Sequence, residues 1–158
     1  MKAASAQEIK VALKQMDAKE LLNICLRLSR YKKENKELLT FLLFEADDLP
    51  AYIKSVNEEI DQGFASLNTD TYYFAKKGIR KVLRVANKYI RYAGDKTVEV
   101  EVLLHFCTAF KGLKASWQKT AALASLYASQ TKKISAAIDA MHEDLQYDYR
   151  RSLERLID

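Results

Sequence analysis

"AKKGIRKVLRVANKYIRYAG" fills residues 75–94, and its reading decides the fold. Seven of its side chains are cationic: Lys76, Lys77, Arg80, Lys81, Arg84, Lys88 and Arg91. None is acidic. At 100° per residue, Lys77, Arg80, Lys81, Arg84, Lys88 and Arg91 fall within about 100° of arc. Ala75, Ile79, Val82, Leu83, Ala86, Ile90 and Ala93 fall on the opposite side, while Gly78, Val85 and Tyr92 form a flank. This is the pattern of one amphipathic helix, and from Lys77 to Arg91 its cationic stripe is about 21 Å long. Seven like-charge pairs at i,i+3 and i,i+4 oppose the helix by on the order of 2 kcal/mol before screening. Gly78 inside it costs roughly 1 kcal/mol more against Ala. Packing of the apolar face must therefore hold the helix, and the charge is not there for local stability.

The chain around it has 158 residues, 49% apolar and 30% charged, with only four glycines and one proline. That length fits one domain, and the scarcity of turn residues argues for long helices. The formal charge is +5 and the stretch 71–94 supplies +7, so the remainder is net −2. The basic character belongs to one helix rather than to the surface at large.

Helix signals recur on both sides. Ser5 with Glu8 and Asp17 with Glu20 have capping-box spacing and open helices near 6–15 and 18–30. The second carries Leu21, Leu22, Cys25 and Leu28 at the spacing of one buried face. A third follows "YKKENKE" and runs to about Glu45, with Leu38, Leu39, Leu42 and Leu43 inward. Pro50 suits the first turn of a fourth, whose stripe is Leu49, Tyr52, Ile53, Val56, Ile60 and Phe64. The basic helix runs from about Thr71 to Ala93 and stops at Gly94. Asp95 begins a sixth, burying Val98, Val102, Leu103, Phe106 and Phe110. After the connection "KGLKAS", the Ala-rich stretch from Trp117 to Met141 reads as one helix or as two meeting near Gln130–Thr131. A last helix, about Glu143 to Leu156, buries Leu145, Tyr149, Leu153 and Leu156. "LLNICLRL" (21–28) and "LLHFCTAF" (103–110) share Leu, Leu and Cys in register, a similarity that chance accounts for. The expectation is a single all-α domain, 1–158, of seven to eight amphipathic helices. They pack in successive antiparallel pairs as a short α-solenoid-like array or an irregular bundle.

No stretch reads as a signal peptide, and the longest apolar run, "LLTFLLF" at 38–44, is far short of a membrane span. Cys25 and Cys107 read as buried free thiols suited to a reducing cytoplasm. Catalytic signatures are missing: there is no HExxH, CxxC, P-loop, GxGxxG or GxSxG. Glu101 and His105 at i,i+4 read as a structural pair, and His142-Glu143-Asp144 as capping polarity. His105 and Cys107, two apart on a helix, point to different sides and make no nucleophile–base pair. A non-enzymatic protein without cofactor or metal is expected.

Three readings of the stripe compete. It is a solvated face, partly offset by Glu45, Asp47, Asp48, Glu58, Glu59 and Asp61. Or it contacts a partner: an acidic protein surface, a second copy of the chain, or the phosphates of nucleic acid. Or it lies on an anionic membrane, which the core's need for the apolar face disfavours. The expected function is an interaction module with Lys77, Arg80, Lys81, Arg84, Lys88 and Arg91 as partner surface; sequence-independent nucleic-acid binding is the alternative.

The segments "SAQEIKVALK", "DAKELLNICLRLSRYKKENKELLTFLL" and "FAKKGIRKVLR" together resemble an uncharacterised bacterial family of short all-helical proteins, a domain of unknown function. The resemblance covers roughly residues 5–92. It implies a helical, array-like fold and a bacterial cytoplasmic origin, and it transfers no functional residues.

Overall fold

The structure, a computed structural model, describes residues 1–113 and 120–157, and it is all-α. Among the described residues there are eight α-helices, one π-helical turn and no strand. The chain divides into two compact units, Met1–Phe44 and Glu45–Asp158.

In the first unit, helix α1 (Ala6–Lys14) opens on a complete capping box. The Glu8 N–H donates to Ser5 Oγ at 3.3 Å, and the Ser5 N–H donates to Glu8 Oε2 at 2.7 Å. Those hydrogen bonds, the Ser5 hydroxyl's first, hold the Glu8 carboxyl below its usual pKa. Helix α2 (Ala18–Tyr31) opens the same way, with Asp17 and Glu20 exchanging bonds of 2.8 and 2.9 Å. Helix α3 (Lys33–Thr40) packs against α2, and the Asn35 amide donates to the Leu28 carbonyl at 2.9 Å. The chain then passes into the π-helical turn Phe41–Glu45.

The leucine stripes of this unit are not buried as the sequence predicts. Leu22, Leu28, Leu38, Leu42 and Leu43 are exposed, Leu21 and Leu39 are half-buried, and only Phe41 is fully inside. Cys25 is exposed too, against the expectation of a buried thiol. The cause is geometric. The α2–α3 hairpin covers only part of each stripe. The third helix also begins at Lys33, inside "YKKENKE", and its wider π turn at Phe41 breaks the i,i+3/i+4 register before Leu42 and Leu43.

The second unit has a core. Its helices are α4 (Leu49–Ala65), α5 (Tyr72–Ala93), α6 (Lys96–Lys111), α7 (Ala121–Asp139) and α8 (Glu143–Ile157). Helix α6 is the hub and touches α4, α5, α7 and α8. Its sequence explains the position: Val98, Val100, Val102, Leu103, Phe106, Cys107 and Phe110 span about 200° of arc, wide enough to meet several neighbours at once, while Thr97, Glu101, His105 and Thr108 share the remaining side. The predicted set on α6 is buried throughout, Cys107 is buried as expected, and Val100 joins them. Around it lie Tyr52, Val56 and Ile60 of α4, Leu123, Ile134 and Ile138 of α7, and Leu153 and Leu156 of α8. Leu145, expected inside, is exposed, because α8 buries its second half. Helix α7 runs unbroken through Gln130–Thr131; its predicted start near Trp117 lies outside the described residues.

Close approach sets the α4–α5 pair. A Cβ on Gly63 would stand 2.7 Å from Val82 Cγ2, and one on Gly78 would stand 2.5 Å from Leu67 Cδ2. Gly63 lets the two helices lie together, whereas at Gly78 the neighbour is the tip of the flexible Leu67 side chain in the connecting loop.

Candidate functional site: the outer face of α5

The site begins with how α5 is anchored. Thr71 Oγ1 caps its start by accepting from the Phe74 N–H at 3.4 Å. Gly94 ends it with φ +60°, a left-handed residue whose N–H donates to the Ile90 carbonyl at 3.0 Å. Ala75, Ile79, Val82 and Ala86 are buried, so the predicted inner face is the face that packs. Tyr89 is half-buried; its carbonyl accepts from the Tyr52 hydroxyl of α4 at 2.9 Å, and its ring meets those of Tyr52 and Tyr92 edge-on.

The outer face follows. Lys77, Arg80, Lys81, Arg84 and Arg91 are exposed, and Lys88 is half-buried. The Lys88 ammonium lies 4.7 Å from the Tyr89 ring centre and 6.0 Å from that of Tyr92. Lys76, outside the stripe, lies 5.8 Å from the Tyr72 ring centre. Among the described residues, no carboxylate comes within 4.0 Å of Lys77, Arg80, Lys81, Arg84 or Arg91. The acids preceding α5 are engaged elsewhere or stand back. Asp48 caps α4 through the Ala51 N–H at 3.1 Å, and Asp61 pairs with His105 at 2.7 Å.

Two hollows flank the stripe. The larger, about 510 Å³, runs between α4 and α5. Its lining includes Gly63, Leu67, Phe74, Gly78, Val82 and Val85. Lys77, Lys81 and Arg84 line it from α5, and Glu59, Gln62 and Ser66 from the α4 side. Glu59 stands on that opposite wall without forming an ion pair across it. The smaller hollow, about 310 Å³, lies among Tyr73, Lys76, Lys77, Arg80 and Arg84. The sequence reading found the cations but missed the groove. Its signals were the two glycines and Phe74, a large apolar residue left 46% exposed beside charge.

The polar pairs expected on α6 are rearranged. Glu101 and His105 do not bond each other. Glu101 Oε1 accepts from the Tyr149 hydroxyl at 2.8 Å, joining α6 to α8, and His105 Nε2 meets Asp61 Oδ1, joining α6 to α4. Burial first, and then that bond to Glu101, push the Tyr149 hydroxyl pKa up. Cys107 is buried, and burial pushes its thiol up to about 12, which keeps it protonated and unreactive. His142 behaves as a capping group, its Nδ1 accepting from the Asp144 N–H at 3.4 Å. Among the described residues no group of three or more His, Cys, Asp or Glu side chains is placed to hold a metal ion, and no helix is long and apolar enough to cross a membrane.

No protein-family model, curated protein or solved structure matches the chain.

Proposed function

We propose that the second unit is a non-enzymatic protein-interaction module whose partner surface is the outer face of α5 and the groove beside it. Lys77, Arg80, Lys81, Arg84, Lys88 and Arg91 supply the charge. The observation that carries this reading is the set of five exposed cations with no carboxylate within 4.0 Å among the described residues, set along an apolar hollow. Like charges at helical spacing oppose folding by on the order of 2 kcal/mol, and among the described residues no ion pair offsets Lys77, Arg80, Lys81, Arg84 or Arg91. A partner with carboxylates at matching spacing removes that repulsion, and an apolar side chain of the same partner fits between Phe74 and Val85. The fitting partner is therefore an acidic protein surface, met in a cytoplasmic setting that keeps both thiols reduced.

Sequence-independent binding to nucleic-acid phosphates through the same face is the second reading. It is favoured by Tyr73, 65% exposed in the smaller hollow among four cations, where an unstacked base has a ring to lie on.

Titration with an acidic amphipathic helical peptide and with generic duplex DNA, RNA and single strands separates the two. Peptide binding that weakens when the peptide's apolar residues are replaced by Ser supports the first. Nucleic-acid affinity that falls steeply between about 50 and 200 mM salt supports the second. Arg80→Glu with Arg84→Glu abolishes either one and leaves the melting temperature nearly unchanged. A double variant that unfolds instead makes the stripe structural and ends both readings.

A further inference from the structure

The groove between α4 and α5 has two unlike walls. Lys77, Lys81 and Arg84 form the α5 wall, and Glu59, Gln62 and Ser66 the α4 wall. The helices run in opposite directions: Gly63 stands against Val82, and Leu67, just after α4, against Gly78. In that register Glu59, one turn before Gly63, lies near the level of Arg84 and Val85. Here an acid and a cation stand on opposite walls. Lys81 stands across from the neutral Gln62. Lys77 lies at the far end, near the level of Leu67, where the α4 wall is the neutral Ser66. The groove is therefore positive at its Lys77 end and mixed at its Glu59 end, and the two ends are about 12 Å apart.

This asymmetry limits what fills the groove. Glu59 is exposed, and among the described residues it joins no ion pair. An occupant with acids throughout would set one of them against Glu59. An occupant with cations throughout would meet Lys77, Lys81 and Arg84. Like charges brought together in this way select against both. The matching segment carries acids at one end and a cation about two helical turns on, with apolar side chains between them for Phe74 and Val85. The first unit of this chain, nine cations against five acids, is net +4 and has the wrong sign for the α5 wall. The occupant is therefore sought in another protein. A helix with its acids near the N-terminus and its cation near the C-terminus is also favoured by its own dipole. Such a helix sets its N-terminal end at Lys77 and runs parallel to α5.

We infer that Glu59 determines the direction of the segment bound in this groove: an amphipathic helix of a partner protein, acidic first and cationic about two turns later, lying parallel to α5 with its cation on Glu59. The inference rests on the reading of α5 as a protein-interaction face and adds the polarity of the partner to it.

Two helical peptides of equal composition test it. One carries glutamates in its first turn and a lysine two turns later; the other has these charges exchanged end for end, and the apolar face is the same in both. Fluorescence anisotropy with the full chain at about 50 mM salt reads the two affinities. The acid-first peptide binds more tightly, and its advantage shrinks about two- to fivefold in Glu59→Gln, the weight of one exposed ion pair. Comparison with the variant cancels any difference in the peptides' own helicity. Glu59→Lys goes further and prefers a peptide whose lysine is replaced by glutamate. Glu59 is exposed, so both variants keep the parent's melting temperature. A nitroxide on the N-terminus of the acid-first peptide broadens amide signals around Lys77 rather than around Lys88. An advantage that Glu59→Gln leaves unchanged overturns the inference while the α5 reading stands, and so does a nitroxide that broadens Lys88 instead. Failure of both peptides to bind overturns that reading and this inference together. A face that takes neither peptide and binds single-stranded RNA is assigned to nucleic acid, which overturns the inference as well.

Discussion

The octets LLNICLRL, in α2, and LLHFCTAF, in α6, carry leucine, leucine and cysteine at the same three places. In α6 Leu103 and Cys107 are completely buried; in α2 the matching Leu21 is half-buried and Cys25 is exposed. What differs is the company. The α6 octet is preceded by Val98, Val100 and Val102, and four helices surround it. The α2 octet is interrupted by Asn23 and Arg27, flanked by Lys19, Glu20 and Arg30, and packs mainly against α3. An apolar stripe specifies the face a helix offers to a neighbour. The number of neighbours is set elsewhere in the chain.

Thiol chemistry puts the widest gap between the two regions. Cys25, which is exposed, should react with a maleimide at the rate of an open thiol. Cys107 is buried and protonated, and it must wait for the second unit to open. For a domain of ordinary stability that opening slows labelling about a thousandfold or more. Quenched-flow labelling with mass spectrometry reads both rates in one sample. Rates within tenfold of each other would mean that the α6 core opens far more easily than its packing implies.

Core truncation comes next. Phe106→Ala removes a fully buried ring packed beside Phe64 and Phe110, at a cost of about 3–5 kcal/mol. Leu22→Ala, at an exposed position, should cost less than about 0.5 kcal/mol. Urea denaturation measures both. Equal costs for the two variants would erase the distinction between the units.

These contrasts mark what was legible in the sequence. The caps were, because each is a contact between residues three apart: Ser5 with Glu8, Asp17 with Glu20, Asp95 with Val98. The α6 core was legible because its apolar arc, about 200° wide, is broader than one neighbour can cover. The cationic stripe of α5 was legible because exposure of Lys77, Arg80, Lys81 and Arg84 follows from burial of the opposite arc. The fate of Leu22, Leu28, Leu42 and Leu43 was not, since their spacing carries no information on whether anything covers them. Nor were the partners of Glu101 and His105, which lie 48 and 44 residues away and are chosen by packing.

Alkaline pH should act on the second unit through three hydroxyl or thiol groups. Burial raises Cys107 from 9.0 to about 12 and, chiefly by the same cause, Tyr127 from 10.0 to about 12; Tyr149 is raised as well. Each group keeps its proton in the folded state at a pH where the unfolded chain has lost it. The unfolded chain therefore binds fewer protons, and stability falls as pH rises. This stability is fully present below about pH 9 and is lost progressively toward about pH 12. Cys107 alone contributes a slope on the order of 1 kcal/mol per pH unit there. Urea midpoints between about pH 8 and 11 should fall, and Cys107→Ala should flatten the fall. A midpoint independent of pH over that range would mean that the thiol reaches water in the native state.

The smallest effect concerns how closely helices approach. All four glycines, Gly63, Gly78, Gly94 and Gly112, belong to the second unit, and the first has none. Two of the four, Gly63 and Gly78, lie where a methyl group would stand closer than 3.0 Å to another side chain, but the neighbours differ. At Gly63 the obstacle is Val82 Cγ2, a methyl on a stiff β-branched side chain that is itself buried. It has no other rotamer to take without displacing the core. At Gly78 the obstacle is Leu67 Cδ2, the far end of a flexible, half-buried side chain in the connection after α4. It can swing aside. Alanine gains up to about 1 kcal/mol of helix propensity at either position. Gly63→Ala should nevertheless destabilise by about 1–2 kcal/mol, because overpacking outweighs propensity. Gly78→Ala should be neutral or stabilising by a few tenths of a kcal/mol, with Leu67 displaced into the groove. Thermal melts of both variants decide it. The reverse order would place the tight contact of the second unit at the loop rather than between α4 and α5. The groove beside the cationic stripe would then rest on Leu67, and not on two helices brought together by Gly63.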